Sequence, residues 1–185
     1  MWLKRFLRKL LGTLGLIDTT DYTSIDALRK RGVKIGKNVD IINTLIDYNF
    51  GFLCSIGDNV TLTGVRILTH DASTKKFLGY SKIGKVEIGD NVFVGNGAII
   101  LPNVKIGNNV IIGAGTIVAK NVPDNVVIAG NPWRVICTCE EYIERNREMM
   151  KTSVVSDEPL WGKATEEQRK EFAKRITLAT YGYNV

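Results

Sequence analysis

The sequence of 185 residues predicts a mainly β protein, a triangular solenoid built from stacked coils of short parallel strands. Two regularities lead to this prediction. An aliphatic residue recurs at every sixth position from Ile88 to Val118, and a small or β-branched residue does so from Val86 to Val122. Six residues turn an α-helix by about 600°, so this pattern would wander around a helix instead of forming one apolar face. In a strand, residues two apart point to the same side, and Val86 and Ile88 can therefore share one core.

Each hexapeptide in this region predicts one short strand followed by one corner of the solenoid. The residues between successive strands, such as Gly89-Asp90-Asn91, are turn formers. Three hexapeptides complete a coil, so we expect Ile88 to stack on Ile106 and Val94 to stack on Ile112.

Before residue 82 the same register continues with interruptions. Ile41 with Leu45, and Phe50 with Cys54, fit the two inward positions of further strands. Residues 69–81 are too polar and irregular to form a side of a coil, and we expect an extruded loop there. Loops on a rigid scaffold often carry function, and this one contains the only histidine of the chain.

The chain therefore divides into three predicted segments. An N-terminal amphipathic helix and lead-in covers 1–31, a β-helix domain covers 32–136, and a C-terminal helical cap or tail covers 137–185. The last segment contains two helical patterns, at 140–151 and 164–178. Because the last coil of a solenoid needs a cover, a terminal helix is the expected cap.

The composition, with 44% hydrophobic and 24% charged residues, is that of a soluble protein with a sizeable core. The net charge is +6, but residues 1–15 alone contribute +4, and no dense basic stripe that would indicate nucleic-acid binding occurs elsewhere. A single histidine argues against a site in which one chain supplies several histidines, so we expect no metal. The odd set of Cys54, Cys137 and Cys139 predicts free thiols in a reducing cytoplasm.

Residues 2–14 place apolar side chains at helical spacing and four cations on the opposite side. Two interpretations are open: the helix lies on an anionic membrane surface, or it packs on its own protein or a neighbouring subunit. No stretch approaches the ~20 apolar residues of a membrane span. We therefore expect a cytoplasmic protein, with the inner face of the membrane as the alternative location.

Three segments carry a resemblance to a known family: L-T-H-D (68–71), I-G-A-G-T-I-V-A-K (112–120) and A-G-N-P-W-R (129–134). In this order they resemble the hexapeptide-repeat acyltransferases, in the branch of galactoside, maltose and nodulation-sugar O-acetyltransferases and streptogramin acetyltransferases. The repeats alone are also typical of nucleotidyltransferases and carbonic anhydrases, so the three segments give the resemblance its specificity. It implies a left-handed parallel β-helix, a homotrimer, and acetyl-CoA as cosubstrate without a metal.

The resemblance identifies His70 as the catalytic general base. A neutral imidazole takes the proton of an acceptor hydroxyl as that hydroxyl attacks the thioester, an effect worth ~10²–10⁴ in rate. Asp71 is the next residue and could orient the ring, but neighbours in an extended chain point to opposite sides. A carboxylate or carbonyl from elsewhere is the alternative partner.

The resemblance also assigns positions to acetyl-CoA, which the family holds in a groove between neighbouring solenoids of the trimer. These positions are Asn96, Gly97, Ala114, Ala119, Lys120 and Arg134. Asn96 and Ala114 would stack at one corner and line the pantetheine arm, while Lys120 and Arg134 would meet the phosphates. Ala119 lacks the hydroxyl of the residue the family has there, and Trp133 is larger than expected.

The predicted function is transfer of an acetyl group from acetyl-CoA to a hydroxyl or amine of a sugar, in surface polysaccharide or glycoconjugate biosynthesis. Streptogramin-type antibiotic acetylation and a non-catalytic β-helix scaffold are the alternatives. A carbonic anhydrase would need three histidines from neighbouring chains, which one histidine per chain disfavours. Acceptor specificity is expected in residues 69–81 and in residues 43–53, around Asp47 and Asn49.

Overall fold

The computed structural model describes residues 24–185, except 158, 161, 163 and 177–180. The chain divides into two compact units, one ending at Ile136 and the other running from Cys137 to Val185. The predicted helix at residues 2–14 lies outside the described residues. No helix within the described part of the chain has the length and apolar character needed to cross a membrane.

Within the described residues, the first unit contains a short helix followed by a solenoid with three sheets. Helix α1 (Ile25–Lys30) starts at Ser24, whose side chain caps the amide of Ala27. The first sheet consists of β1 (Lys34–Ile35), β4 (Cys54–Ile56), β9 (Val86–Ile88) and β12 (Val104–Ile106). The second consists of β2 (Asp40–Ile42), β5 (Thr61–Thr63), β10 (Val92–Val94), β13 (Val110–Ile112), β15 (Val126–Gly130) and β16 (Trp133–Thr138). The third consists of β3 (Leu45–Ile46), β6 (Arg66–Ile67), β11 (Ile99–Ile100) and β14 (Ile117–Val118).

Each of the first four turns of the chain adds one strand to each sheet, and successive coils pair in parallel. Ile88 is in register with Ile106, and Val94 with Ile112, so the predicted stacking is confirmed. The mainly β, parallel solenoid predicted from the six-residue period is therefore what the chain forms. Its core is a column of aliphatic side chains that are almost all fully buried.

The two earliest coils depart from the predicted register at one corner. Leu45, expected to point inward, is 52% exposed, whereas Ile46 is 3% exposed and stacks on Ile67. The reason is a corner one residue shorter than in the later coils. Asn43 turns the chain there with φ of 48°, so Thr44 takes the inward position and Leu45 points out.

Another corner carries a ladder of asparagines, one from each coil. All of them have positive φ: Asn38, Asn59, Asn91, Asn109 and Asn125. Each side-chain amide donates to the amide oxygen of the next coil's asparagine, over 2.9–3.1 Å. Asparagine tolerates the left-handed conformation better than most residues, and its side chain here also ties coil to coil.

The predicted loop leaves the coil, but it spans residues 70–83 and not 69–81, because Thr69 is still buried and Ile83 pairs with His70. The excursion starts at β7 (His70–Asp71), which pairs antiparallel with β8 (Lys82–Ile83), and its tip contains the short helix α2 (Lys75–Leu78). The catalytic candidate therefore lies on a paired strand at the base of the loop, where the hydrogen bonds of the ladder restrain its backbone.

The second unit contains the two predicted helices. Helix α3 (Cys139–Met150) and helix α4 (Glu166–Arg175) each begin with a capping box. Side chains therefore accept hydrogen bonds from backbone amides at both N-terminal ends. Helix α4 ends at Arg175, short of the predicted 178. A parallel pair that the sequence did not indicate joins β17 (Val154–Ser156) to β18 (Gly182–Asn184). The predicted role of the second unit as a cover for the last coil of the solenoid stays a prediction.

Candidate active site

His70 lies where the chain leaves the third sheet after β6. Its side chain is 34% exposed, and its Nδ1 atom contacts the Oδ2 atom of Asp47. Asp47 follows β3, the strand of the preceding coil that pairs with β6, and its amide donates to the carbonyl of Ile67 over 3.0 Å. Strand pairing therefore brings together two residues that are 23 positions apart in the chain.

The carboxylate of Asp47 is buried, with 2% of its side chain exposed, and both of its oxygens are engaged. Oδ2 accepts from His70 and from the amide of Thr69 at 3.2 Å. Oδ1 accepts from the amides of Asn49 and Phe50 at 3.2 and 3.3 Å. A buried carboxylate needs this degree of satisfaction, because an unpartnered one would be strongly destabilising.

These contacts determine the charge of Asp47. Burial alone would raise the pKa of the carboxyl group, but the hydrogen bonds from His70 and from the amides of Phe50 and Thr69 outweigh it and lower the pKa below its ordinary value. Asp47 is therefore ionised at neutral pH and can only accept hydrogen bonds.

An ionised Asp47 assigns the tautomer of His70. Since the carboxylate accepts, Nδ1 carries the proton, and Nε2 keeps its lone pair for another partner. The ring of Phe50 lies 5.3 Å from the imidazole, centroid to centroid, at an angle of 46°, and limits the rotation of the imidazole on that side. The arrangement is an oriented base with its accepting nitrogen turned away from the carboxylate.

Asp71 does not orient the ring. Its carboxylate pairs with Lys82 on the opposite strand at 2.6 Å and accepts the amide of Ser73 at 2.8 Å. The hydrogen bond from Lys82 holds the pKa of Asp71 far below its usual range. Of the alternatives that the sequence left open, the structure selects a carboxylate from another coil.

The residues assigned to the pantetheine arm lie at the corner between the second and third sheets. The carbonyl of Asn96 accepts the amide of Gly115 over 2.9 Å, so Asn96 and Ala114 stack in consecutive coils and both are exposed. Gly97 and Gly115 have φ of 76° and 69°, which favours glycine whether or not a ligand approaches. A Cβ atom on Gly115 would meet nothing within 4 Å, so this corner is open.

The residues assigned to the phosphates lie further along the chain. Ala119 and Lys120 follow β14 at the far end of the third sheet, and both are exposed. The Lys120 ammonium group lies 4.6 Å from the centroid of the Trp133 ring, a cation–π distance. Arg134, the next residue, is exposed on β16. Trp133 therefore holds the ammonium group of Lys120 in place.

The third sheet separates two sets of predicted site residues within one chain. His70 and Lys120 follow its strands, whereas Asn96 and Ala114 precede them. The sequence assigned all four to one reaction, but a single solenoid presents them on two different edges.

Comparison with known proteins gives the family. The model for bacterial transferase hexapeptide repeats matches residues 85–120. Protein CapG of Staphylococcus aureus is 45% identical over an alignment that covers 64% of this chain and 73% of CapG. The chain belongs to the hexapeptide-repeat transferases.

Two further proteins resemble this hexapeptide-repeat transferase. "Putative acetyltransferase YvoF" of Bacillus subtilis is 40% identical, with 61% of this chain and 64% of YvoF covered. A solved hexapeptide-repeat acetyltransferase of Vibrio cholerae, in complex with acetyl coenzyme A, is 20% identical with a TM-score of 0.55, over 73% of this chain and 88% of the other. This likeness supports the fold, the left-handed parallel β-helix expected from the resemblance.

Asp47 is the residue of this transferase whose role the sequence did not indicate. It lies in a segment expected to contribute to acceptor specificity, and in the structure it contacts His70. The signal was present in the spacing. Ile46 and Ile67 occupy the same position of successive coils, so the residue after Ile46 lies beside the chain that leads into His70.

The thiol of Cys54 is not a reactive group of the solenoid. Cys54 is buried, and burial raises the pKa of its thiol to about 12, so it is not a thiolate at neutral pH. Across the described residues of the transferase, no group of three or more His, Cys, Asp or Glu side chains could hold a metal ion. The oriented imidazole is the reactive group that the site offers.

Proposed function

We propose that this protein transfers an acetyl group from acetyl-CoA to a hydroxyl, or an amine, of a sugar in surface polysaccharide or glycoconjugate biosynthesis. The observation that carries the proposal is the contact of His70 with the buried, ionised Asp47. A scaffold protein needs no imidazole at this carboxylate, since the main-chain amides of Asn49, Phe50 and Thr69 already donate to it.

The chemistry follows from the assigned tautomer. Nε2 of His70 accepts the proton of the acceptor hydroxyl while its oxygen forms a bond to the acetyl carbonyl carbon. The carbon–sulfur bond then breaks, and the proton passes from the imidazole to the departing CoA thiolate. Asp47 stabilises the imidazolium that exists between these two transfers and holds the ring in place.

The residues at the two corners suit acetyl-CoA. Lys120 and Arg134 offer cationic groups for its phosphates, and the small residues at Gly97 and Ala114 leave a corner open enough for an extended thiol arm. The complex of the Vibrio cholerae relative with acetyl coenzyme A and the name of YvoF support this choice of cosubstrate. Because acetyl-CoA is a cytoplasmic metabolite, we place the reaction in the cytoplasm.

The active unit is proposed to be a homotrimer. Asn96 and Ala114 lie on one edge of the third sheet, and His70 lies on the other, so a complete site requires the edges of two chains to face each other. In a closed ring of three chains, each chain faces one neighbour with its His70 edge and the other neighbour with its Asn96 and Ala114 edge.

A transfer screen tests the proposal. Purified protein, acetyl-CoA and a panel of nucleotide sugars and free sugars are incubated, and acetylated products are identified by mass spectrometry. A streptogramin acceptor is included as the competing substrate class. Failure of every acceptor, together with no binding of CoA in a thermal-shift assay, would favour the scaffold function.

Two substitutions then separate catalysis from binding. His70→Ala is expected to lower kcat by ~10²–10⁴ and to leave CoA affinity intact, because the exposed ring leaves no cavity in the core. Lys120→Ala is expected to raise the KM for acetyl-CoA more than it lowers kcat, since a phosphate contact exists in both ground and transition states. Wild-type kinetics in both variants would contradict the assignment of His70 as the general base and of Lys120 as a phosphate contact.

A further inference from the structure

We propose that Arg31 is a positioning residue for the Asp47–His70 pair, acting on the main chain of Asp47. This inference rests on the proposed function for its kinetic consequence. Its structural basis is independent of the acceptor, since it concerns only how the base is held.

The main-chain carbonyl of Asp47 lacks its regular ladder partner, although the amide of Asp47 has one in the carbonyl of Ile67. In a regular parallel ladder, the amide of Thr69 would donate to the carbonyl of Asp47. It donates instead to the Asp47 carboxylate, over 3.2 Å. The Asp47 carbonyl therefore needs another donor at the point where the chain leaves the coil.

Arg31 supplies that donor. Its Nη2 atom donates to the carbonyl of Asp47 at 2.7 Å and to the carbonyl of Ile46 at 3.2 Å, both partly buried. The guanidinium carbon also lies 4.5 Å from the centroid of the Tyr48 ring. One planar group thus contacts three consecutive residues around the carboxylate, which is an arrangement that the fork of arginine permits and a lysine does not.

The base of the Arg31 side chain is itself fixed. Arg31 ends helix α1, and its amide donates to the carbonyl of Ala27 over 3.2 Å. Residues 47–53 lie outside the six-residue register, so these side-chain contacts take over from strand pairing there. Removing Arg31 would let the Asp47 backbone rotate, and the carboxylate would no longer hold the imidazole in one orientation.

The chain offers a matched control on the same helix. Nη2 of Arg29 donates to two consecutive carbonyls, those of Ile35 and Gly36, at 3.1 and 3.2 Å. These bonds are exposed and lie on β1, away from Asp47. Arg29→Met therefore removes the same type of contact from the same element without touching the pair.

The experiment compares Arg31→Met, Arg31→Lys and Arg29→Met with wild type. Because the chain has one histidine, nitrogen NMR of protein labelled at histidine reports His70 alone. Wild type and Arg29→Met are expected to show one neutral tautomer, protonated on Nδ1. Arg31→Met is expected to show averaged signals from both ring nitrogens, and Arg31→Lys an intermediate state.

Kinetics provides the second measurement. Arg31→Met is expected to lower kcat by about tenfold to a hundredfold, since a small misplacement of a base has effects of this size, with the KM for acetyl-CoA unchanged. A single Nδ1-protonated tautomer in both Arg31 variants would overturn the proposal. If Arg31→Met does not fold, Arg31→Lys decides the question alone. Absence of transfer in wild type would count against the proposed function and leave the NMR comparison decisive for Arg31.

Discussion

At the scale of single residues, the partner of the imidazole determines what the site can do. A carboxylate accepts the Nδ1 proton and leaves Nε2 basic, whereas a side chain that donates to Nδ1 would reverse the tautomer. The second case makes Nε2 a donor and removes the acceptor for the substrate proton. Asp47 can only play the first role, because its carboxyl group stays ionised.

The substitution Asp47→Asn tests directly whether the carboxylate sets the tautomer of His70. The amide can donate to Nδ1 of His70, so the ring is expected to carry its proton on Nε2 and kcat to fall by ~10²–10⁴ at an unchanged KM for acetyl-CoA. Asp71→Asn is the control, since Asp71 pairs with Lys82 and not with the ring. A loss of equal size in both variants would show that the loop as a whole, and not the carboxylate of Asp47, determines the rate.

At the scale of elements, the asparagine ladder shows how one residue type meets two needs. Each asparagine adopts positive φ at its corner, and the three inner ones bond to the asparagines above and below them. Substitution therefore has two separable costs: backbone strain and lost hydrogen bonds.

Asn91, in the middle of the ladder, separates these two costs. Asn91→Gly loses the bonds to Asn59 and Asn109 but tolerates the φ of 55°. Asn91→Ala loses the same bonds and also strains the backbone, so it should be less stable than the glycine variant by about 1 kcal/mol. Urea unfolding monitored by circular dichroism measures the free energy of unfolding of both variants. Equal stabilities would mean that the corner relaxes out of the left-handed region.

The sequence predicts these elements where its period is regular and fails where it is not. From Val86 to Val118 every strand follows from the spacing, because the corners of these coils have constant length. In the first two coils a shortened corner moves the inward position from Leu45 to Thr44, and six-residue counting cannot detect a one-residue deletion. The pairing of Asp47 with His70 depends on that same register, so the sequence pointed to His70 but not to the carboxylate that contacts it.

At the scale of the whole molecule, the proposed homotrimer predicts a site shared by the two edges of the third sheet. If His70 of one chain works with Ala114 of a neighbour, a chain lacking one and a chain lacking the other should complement each other. His70→Ala and Ala114→Arg are each expected to be inactive alone.

Mixed trimers of these two variants test the shared site. Refolding or co-expression of equal amounts is expected to restore activity to about a quarter of the wild-type level, because that fraction of neighbouring pairs contains both intact residues. Light scattering should give a trimeric mass for each protein. No recovery in mixtures of confirmed trimers would place His70 and Ala114 in the same chain's site.

The coils contain different numbers of residues, and this has an evolutionary consequence. Ile35 stacks on Ile56, Ile56 on Ile88, and Ile88 on Ile106, so successive coils differ greatly in length while their core positions stay aligned. Extra residues are accommodated entirely at the corners, and doubling the length of a flexible loop costs only about 0.6 kcal/mol. Insertions and deletions at these corners are therefore nearly neutral for folding. Descendants of such a protein can exchange the loops around the base, and with them the acceptor, while the scaffold that aligns the imidazole is inherited unchanged.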